Sequence, residues 1–195
     1  MIILDPGHGY NTKGKSSPVW ADGSQLHEWE FNRDVARRIQ RDLSQLGMKS
    51  VILVEEAIDV NLRVRAERTN EIAKQFPGSF LISIHGNSAK KTNEGEGWEV
   101  WTSPGQTEGD KLATRLYEAA KYYLQGFKTR QDYTDGDPDK EARFTILSKT
   151  ICPAVLTENL FYNNEKECRF MMSDYGKELI AKLHVDGIIE FLKTR

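Results

Sequence analysis

Met1-Ile-Ile-Leu-Asp-Pro-Gly-His-Gly9 opens the chain, and its reading decides the fold. Ile2, Ile3 and Leu4 are consecutive apolar residues, as expected of a strand buried on both faces of a parallel sheet. Pro6 and Gly7 stop that strand. His8 is the first functional side chain beyond it, at the carboxyl end, where sites form in open α/β sheets.

The same pattern recurs downstream. Phe80, Leu81, Ile82 and Ile84 form a second apolar run, Ser79 to Ile84, that leads into His85-Gly86-Asn87-Ser88. A third run, Pro153-Ala-Val-Leu-Thr-Glu158, ends in a carboxylate. Between these runs lie helical patterns. Phe31, Val35, Ile39 and Leu43 recur every four residues across Glu28 to Leu46, with Gly47 as the stop. Further helices are expected over Asn61 to Phe76, Thr107 to Leu124 and Tyr175 to Lys193, and further strands over Ser50 to Val54, Gly97 to Thr102 and Phe144 to Leu147. The alternation of strand and helix predicts an α/β fold: one domain over residues 1–195, with a twisted, mostly parallel or mixed sheet flanked by helices on both faces.

Composition narrows the function classes. Charged residues make up 29% of the 195 residues, and the net charge is −2 with no basic block, which argues against a nucleic-acid partner. No apolar run approaches the roughly 20 residues of a membrane helix, so no membrane insertion is expected. No basic segment precedes the apolar opening, so no signal peptide is recognisable. Cys152 and Cys168 fit neither a disulfide framework nor a C-x-x-C motif and read as ordinary reduced cysteines. The arginine-rich helix that holds Arg63, Arg65 and Arg68 reads as a solvated face with ion pairs. The polar loop from Gly9 to Gln25 is long enough to be functional. The acidic stretch from Gly126 to Arg143 lacks the spacing and closing glutamate of a calcium loop and reads as a solvent-exposed or substrate-side loop.

Three strand ends thus carry His8, His85 and Glu158, and Glu28 opens the first helix. Two histidines and one carboxylate, with a fourth position left for water, make up a catalytic zinc set. A further carboxylate close by can take the proton of that water.

Six pieces now stand in order: Ile3-Leu-Asp-Pro-Gly-His-Gly9, Glu28-Trp-Glu-Phe-Asn32, Arg65-x-x-Arg68-Thr-Asn70, Ile82-Ser-Ile-His-Gly-Asn87, Gly97-Trp-Glu-Val-Trp101 and Pro153-Ala-Val-Leu-Thr-Glu158, the last followed by Phe161 and Asn163. In identity and spacing they resemble the zinc-dependent N-acetylmuramoyl-L-alanine amidases of the amidase 3 family. The resemblance implies that His8, Glu28 and His85 hold one Zn2+ and that Glu158 is the catalytic acid/base. Glu28 is preferred to Glu30 because the family's ligand lies four residues before the position of Asn32. It implies hydrolysis of the amide between N-acetylmuramic acid and L-alanine in peptidoglycan. The length suits a single catalytic domain with no separate wall-binding domain. Trp20, Asn87, Glu99 and Arg130 are candidate substrate-binding residues. The chain departs from the family pattern at Tyr10 and Leu160, where glycine is usual, at Asn11 and Thr12, where an aspartate is usual, and at Gly86, where alanine is usual. A monomeric wall lysin is expected, such as a phage or prophage endolysin. It would be made in the cytoplasm and act on the wall after release, unless the chain is a domain of a longer exported protein. Two other readings share these residues: a zinc peptidase or deacylase, and a non-catalytic wall-binding or regulatory domain.

Overall fold

The computed structural model describes residues 1–194. Six strands form one mixed sheet: β1 (Ile2–Pro6), β2 (Ser50–Ile52), β3 (Phe80–Asn87), β4 (Glu99–Thr102), β5 (Lys140–Glu141) and β6 (Ala154–Phe161). Their order is β2-β1-β3-β6-β4-β5. All neighbouring pairs are parallel except β4 with β6, which is antiparallel.

Side chains of β1 alternate between two cores, as a strand period of two requires. Ile2 and Leu4 join the larger core, beneath α1 (Glu28–Gln45), α3 (Glu108–Tyr123) and α6 (Asp174–Leu192). Ile3 joins the smaller one, with Leu81, Leu156 and Ile72, the last from α2 (Leu62–Gln75). Helices therefore cover both faces, and β1, β3 and β6 present their carboxyl ends along one edge. The α/β single-sheet architecture read from the sequence is the observed one.

Several local expectations change. The β3 ladder continues through His85 to Asn87, with a bulge between those two residues, and β6 continues to Phe161. Glu158 therefore sits inside its strand rather than at the tip. The apolar run stops early, but backbone pairing does not depend on apolar side chains. The stretch expected as a strand from Phe144 to Leu147 is instead the short helix α4 (Thr145–Ser148), started by Phe144 as its N-cap. The Asn164 side chain accepts from the Glu167 N–H and starts α5 (Glu165–Met172), a helix absent from the sequence reading.

Arg65 overturns the solvated-face reading of α2. It is 1% exposed, because Asp5 at the end of β1 draws it inward. Cys168 is buried and no disulfide joins it to Cys152. Among the described residues no helix is long and apolar enough to cross a membrane.

His184 on α6 is fully buried. Its Nδ1–H donates to the Ile180 carbonyl at 2.7 Å, which leaves Nε2 to accept from the Thr157 hydroxyl at 3.0 Å. Burial pushes its pKa down to about 4. The unfolded chain therefore binds the extra proton between the ordinary value and about 4, and stability falls as pH falls through that window. Wild type is expected to lose about 2 kcal/mol more than His184→Gln between about pH 7 and about pH 5. Urea unfolding at both pH values measures this, and identical losses would remove His184 as the cause.

Candidate metal centre

Asp5, Pro6 and Gly7 aim His8. Asp5 is buried; its Oδ1 accepts from Arg65 Nη1 at 2.6 Å and its Oδ2 from the Ser83 hydroxyl at 2.8 Å. That ties the end of β1 to β3, where Asp5 and Ser83 are register partners. Gly7 is required by its neighbour: a Cβ there would lie 2.1 Å from Cε1 of the His85 ring. Gly9 is required by close backbone approach, since its Cβ would lie 2.1 Å from the Asp59 nitrogen. Between the two glycines His8 adopts φ 63°, a left-handed conformation that histidine tolerates better than most side chains but that still costs energy. Two buried arginines hold it there. The His8 carbonyl accepts from Arg33 Nη1 at 2.8 Å and from Arg65 Nη2 at 3.4 Å.

Glu28 enters from the first residue of α1 and is fully buried. One carboxylate oxygen, Oε1, faces both rings, 3.3 Å from His8 Nε2 and 3.2 Å from His85 Nδ1. The two rings meet edge to face with centroids 4.9 Å apart. One ligand atom from each of His8, Glu28 and His85 lies within 4.8 Å of the other two.

The polar accounting in this cluster does not close with protein atoms. His8 Nε2 and Glu28 Oε2 are buried without a hydrogen-bond partner. Lys15 Nζ stands 3.7 Å from Glu28 Oε2, close enough for charge compensation but too far for a hydrogen bond. Orphaned buried donors and acceptors are rare and costly. A cation among them would satisfy both, and a soft-to-borderline dication suits a set of two imidazoles and one carboxylate. For Glu28 and His8 the protonation states agree. Burial opposes ionisation of Glu28, but the His8 and His85 rings set against its Oε1 prevail and hold its carboxyl well below the usual range. Burial likewise pushes the His8 imidazole below its ordinary value, towards the neutral form that ligates. Burial opposes protonation of His85 too, but its bond to Glu28 and the nearby carboxylates raise it.

Glu158 lies beside this cluster by register. It pairs with His85 on β3 and with Glu99 on β4. Its Oε2 is buried without a partner. Burial drives its pKa up to about 8; His85 pulls the other way, and the charges of Glu28 and Glu99 add to the rise.

Asn87, Glu99 and Arg130 come together in one network on the far side of Glu158. Glu99 Oε1 accepts from Asn87 Nδ2 at 2.9 Å and Trp101 Nε1 at 3.1 Å. Its Oε2 accepts from Arg130 Nε at 2.5 Å and Lys140 Nζ at 2.7 Å. Trp20 is not brought to this place. It is 8% exposed in the larger core, and its indole donates to Cys168 Sγ at 3.3 Å. The loop around it closes on itself through Ser17 N–H to the Leu26 carbonyl and Trp20 N–H to the Ser24 carbonyl, which turns the aromatic inward.

Sequence reasoning missed Arg33, Arg65 and Lys140 as supports of the site, because a cation on a charged helix or loop carries no sign of which face it occupies. Asn159 was missed as well; its Nδ2 donates to the His85 carbonyl at 2.9 Å while its Oδ1 accepts from Trp98 Nε1. Two departures from the family pattern have visible accommodations. Leu160 takes φ 71°, a conformation suited to glycine, while its side chain is fully buried. At Gly86, Met171 Cε would lie 2.9 Å from an added Cβ, so that methionine fills the room a methyl group would need.

The profile of the amidase 3 family, described as N-acetylmuramoyl-L-alanine amidase, matches residues 2–190. The chain is 29% identical over 203 residues to the endolysin of Bacillus phage SPP1, covering 100% of this chain and 67% of that protein. It is 27% identical over 192 residues to the N-acetylmuramoyl-L-alanine amidase CwlM of Bacillus licheniformis, covering 96% of this chain and 66% of that one. The chain thus spans about two thirds of these relatives. The crystal structure of an N-acetylmuramoyl-L-alanine amidase from Clostridium difficile 630 superposes with a TM-score of 0.84 at 26% identity, covering 100% of this chain and 97% of that one. On the match along nearly its whole length, this chain belongs to the amidase 3 family of N-acetylmuramoyl-L-alanine amidases.

Proposed function

We propose that this chain is a zinc-dependent hydrolase of the amide that joins the lactyl group of N-acetylmuramic acid to L-alanine in peptidoglycan. The observation that carries the reading is the convergence of His8, Glu28 and His85 ligand atoms within 4.8 Å, with unpartnered buried atoms among them and a half-buried carboxyl with an unpartnered Oε2 beside them. His8, Glu28 and His85 would hold the ion, and Glu158 would be the catalytic acid/base. Bound there, zinc supplies a Lewis acid that acidifies water and polarises a carbonyl. Glu158 takes the proton of the attacking water as its oxygen bonds to the carbonyl carbon. It then gives that proton to the nitrogen as the C–N bond breaks, so that a lactyl carboxyl group and a free L-alanine amine are the products. Residues 1–195 act as one catalytic domain and as a monomer, in a wall-lytic setting like that named for the phage relative.

Purified protein is expected to carry about one equivalent of zinc, to clear bacterial walls and to expose new L-alanine amino termini. New reducing sugars in place of amino termini would make it a glycosidase. Equal hydrolysis of plain peptides that lack the sugar would make it a peptidase. Failure to bind zinc together with wall binding would make it a non-catalytic module.

A further inference from the structure

Cations are unevenly distributed around the site. On the β1 side, a cavity of about 270 Å³ lies against His8 and His85 and is lined by Thr12, Val60 and Leu62. The cation there, Arg65, has no donor left: its Nε, Nη1 and Nη2 groups make five hydrogen bonds to Val60, Asp5, Pro6, His8 and Asp59. Lys15, at the entry of α1, is turned to Glu28.

The β4–β5 side differs. Glu99 is 3% exposed, and its two oxygens already take four donors, so it has no capacity left for substrate. It acts as a post that holds two cations with one negative charge, which leaves one positive charge over. Arg130 spends only Nε on Glu99, and its Nη groups make no hydrogen bond among the described residues. Lys140 spends one of its three donors. Both side chains remain partly exposed, at 34% and 19%. Both are held stiffly. Arg130 Cζ lies 5.4 Å over the Phe161 ring and Lys140 Nζ lies 5.2 Å over Trp101. The Arg130 backbone N–H is fixed to the Trp98 carbonyl at 2.8 Å.

Resting on the amidase reading above, we propose that Arg130 and Lys140 form a carboxylate-binding subsite for the peptide stem. They would receive an acidic group carried by the second residue beyond the scissile amide. Register sets that distance. Glu99 faces Glu158 across one antiparallel pair, about 5 Å away at Cα, and the cations lie one side-chain contact further out. An extended peptide advances about 3.5 Å per residue, so two residues carry it from the reacting amide to the guanidinium. A planar guanidinium with a free edge favours a carboxylate over a neutral amide, which cannot return the charge. The peptide therefore runs towards β5, and the glycan runs towards the cavity between β1 and α2.

The test compares two muramyl tripeptides that differ only in a free α-carboxylate or a carboxamide on a γ-linked D-glutamyl second residue. Wild type with zinc is expected to favour the acid by about tenfold or more in kcat/KM, chiefly through KM. Arg130→Met is expected to bring the ratio of the two kcat/KM values close to one, and Arg130→Lys to recover part of the preference. A damaged fold would lower both substrates by one factor and leave the ratio intact. Equal kcat/KM of wild type on the two substrates, or an unchanged ratio in Arg130→Met, overturns the subsite and leaves the amidase reading standing. Hydrolysis of neither substrate overturns the amidase reading and this inference with it.

Discussion

Glu158→Gln is expected to lower kcat by about 10²–10⁴-fold while zinc content is unchanged and the metal-free protein becomes more stable at neutral pH. The three effects have one origin. Glu158 is a half-buried residue whose Oε2 is buried and orphaned, flanked through register by His85 and Glu99. Burial is the main cause that lifts its pKa to about 8, in the range where a carboxyl both takes and gives a proton near neutrality. The same lift works against the fold. A carboxyl whose folded pKa exceeds its unfolded value favours the folded state only while protonated, so stability is lost as pH rises from the ordinary glutamate value towards about 8. Glutamine keeps the volume, removes the ionisation and cannot accept the proton of water. The stability gain, on the order of a few kcal/mol at neutral pH, is read by urea unfolding of the chelated protein, and kcat by release of L-alanine amino termini. A variant that retains more than about a tenth of wild-type kcat would remove Glu158 from the acid/base role. Equal stability of the two chelated proteins would remove the burial argument.

Legibility from the sequence followed the physics of each signal. The runs Ile2–Leu4 and Phe80–Ile84 marked central strands because a strand buried on both faces is apolar along nearly all its length. Phe31, Val35, Ile39 and Leu43 marked α1 because all four face the core. His8, His85 and Glu158 stood out because each follows or ends such a run, and Glu28 because it opens the α1 pattern. Where β6 ends was not legible, since Glu158 and Asn159 keep the ladder while breaking the apolar pattern. α5 was hidden because its short apolar face, Cys168 and Met171, lies within a charged segment. Trp20 was misplaced for a related reason: a tryptophan in a polar loop reads as exposed, and only the closure of that loop between Ser17 and Leu26 buries it. Arg33 and Arg65 were illegible as supports, because what recruits them, the His8 carbonyl and the buried Asp5, are tertiary contacts that no sequence pattern announces.

Arg65→Lys is expected to lower zinc affinity about 10–100-fold with a modest change in thermal stability, whereas Arg65→Met is expected to lower Tm on the order of 10 °C. The two variants separate the two things Arg65 does. Its Nη1 neutralises Asp5 at 2.6 Å, with both partners buried. Removing the cation leaves the buried Asp5 charge without its paired guanidinium, with the Ser83 hydroxyl as its remaining hydrogen-bond donor among the described residues. Breaking a buried pair in this way costs about 3–5 kcal/mol, which is the Tm loss predicted for Arg65→Met. Lysine restores the charge and so most of the stability. It cannot restore the fork: three donors on one nitrogen cannot reach the carbonyls of Val60, Pro6 and His8 together with Asp5 and Asp59. The His8 carbonyl then hangs from Arg33 alone. His8 is held at φ 63°, where a non-glycine residue stores about 1–3 kcal/mol of strain. With half of its clamp gone it relaxes towards an ordinary backbone conformation and carries the imidazole away from Glu28 and His85. Competition against a chromophoric chelator reads the affinity, and a thermal melt of the metal-free protein reads the fold. Wild-type zinc affinity in Arg65→Lys would mean that Arg33 suffices and that Arg65 serves only the charge of Asp5.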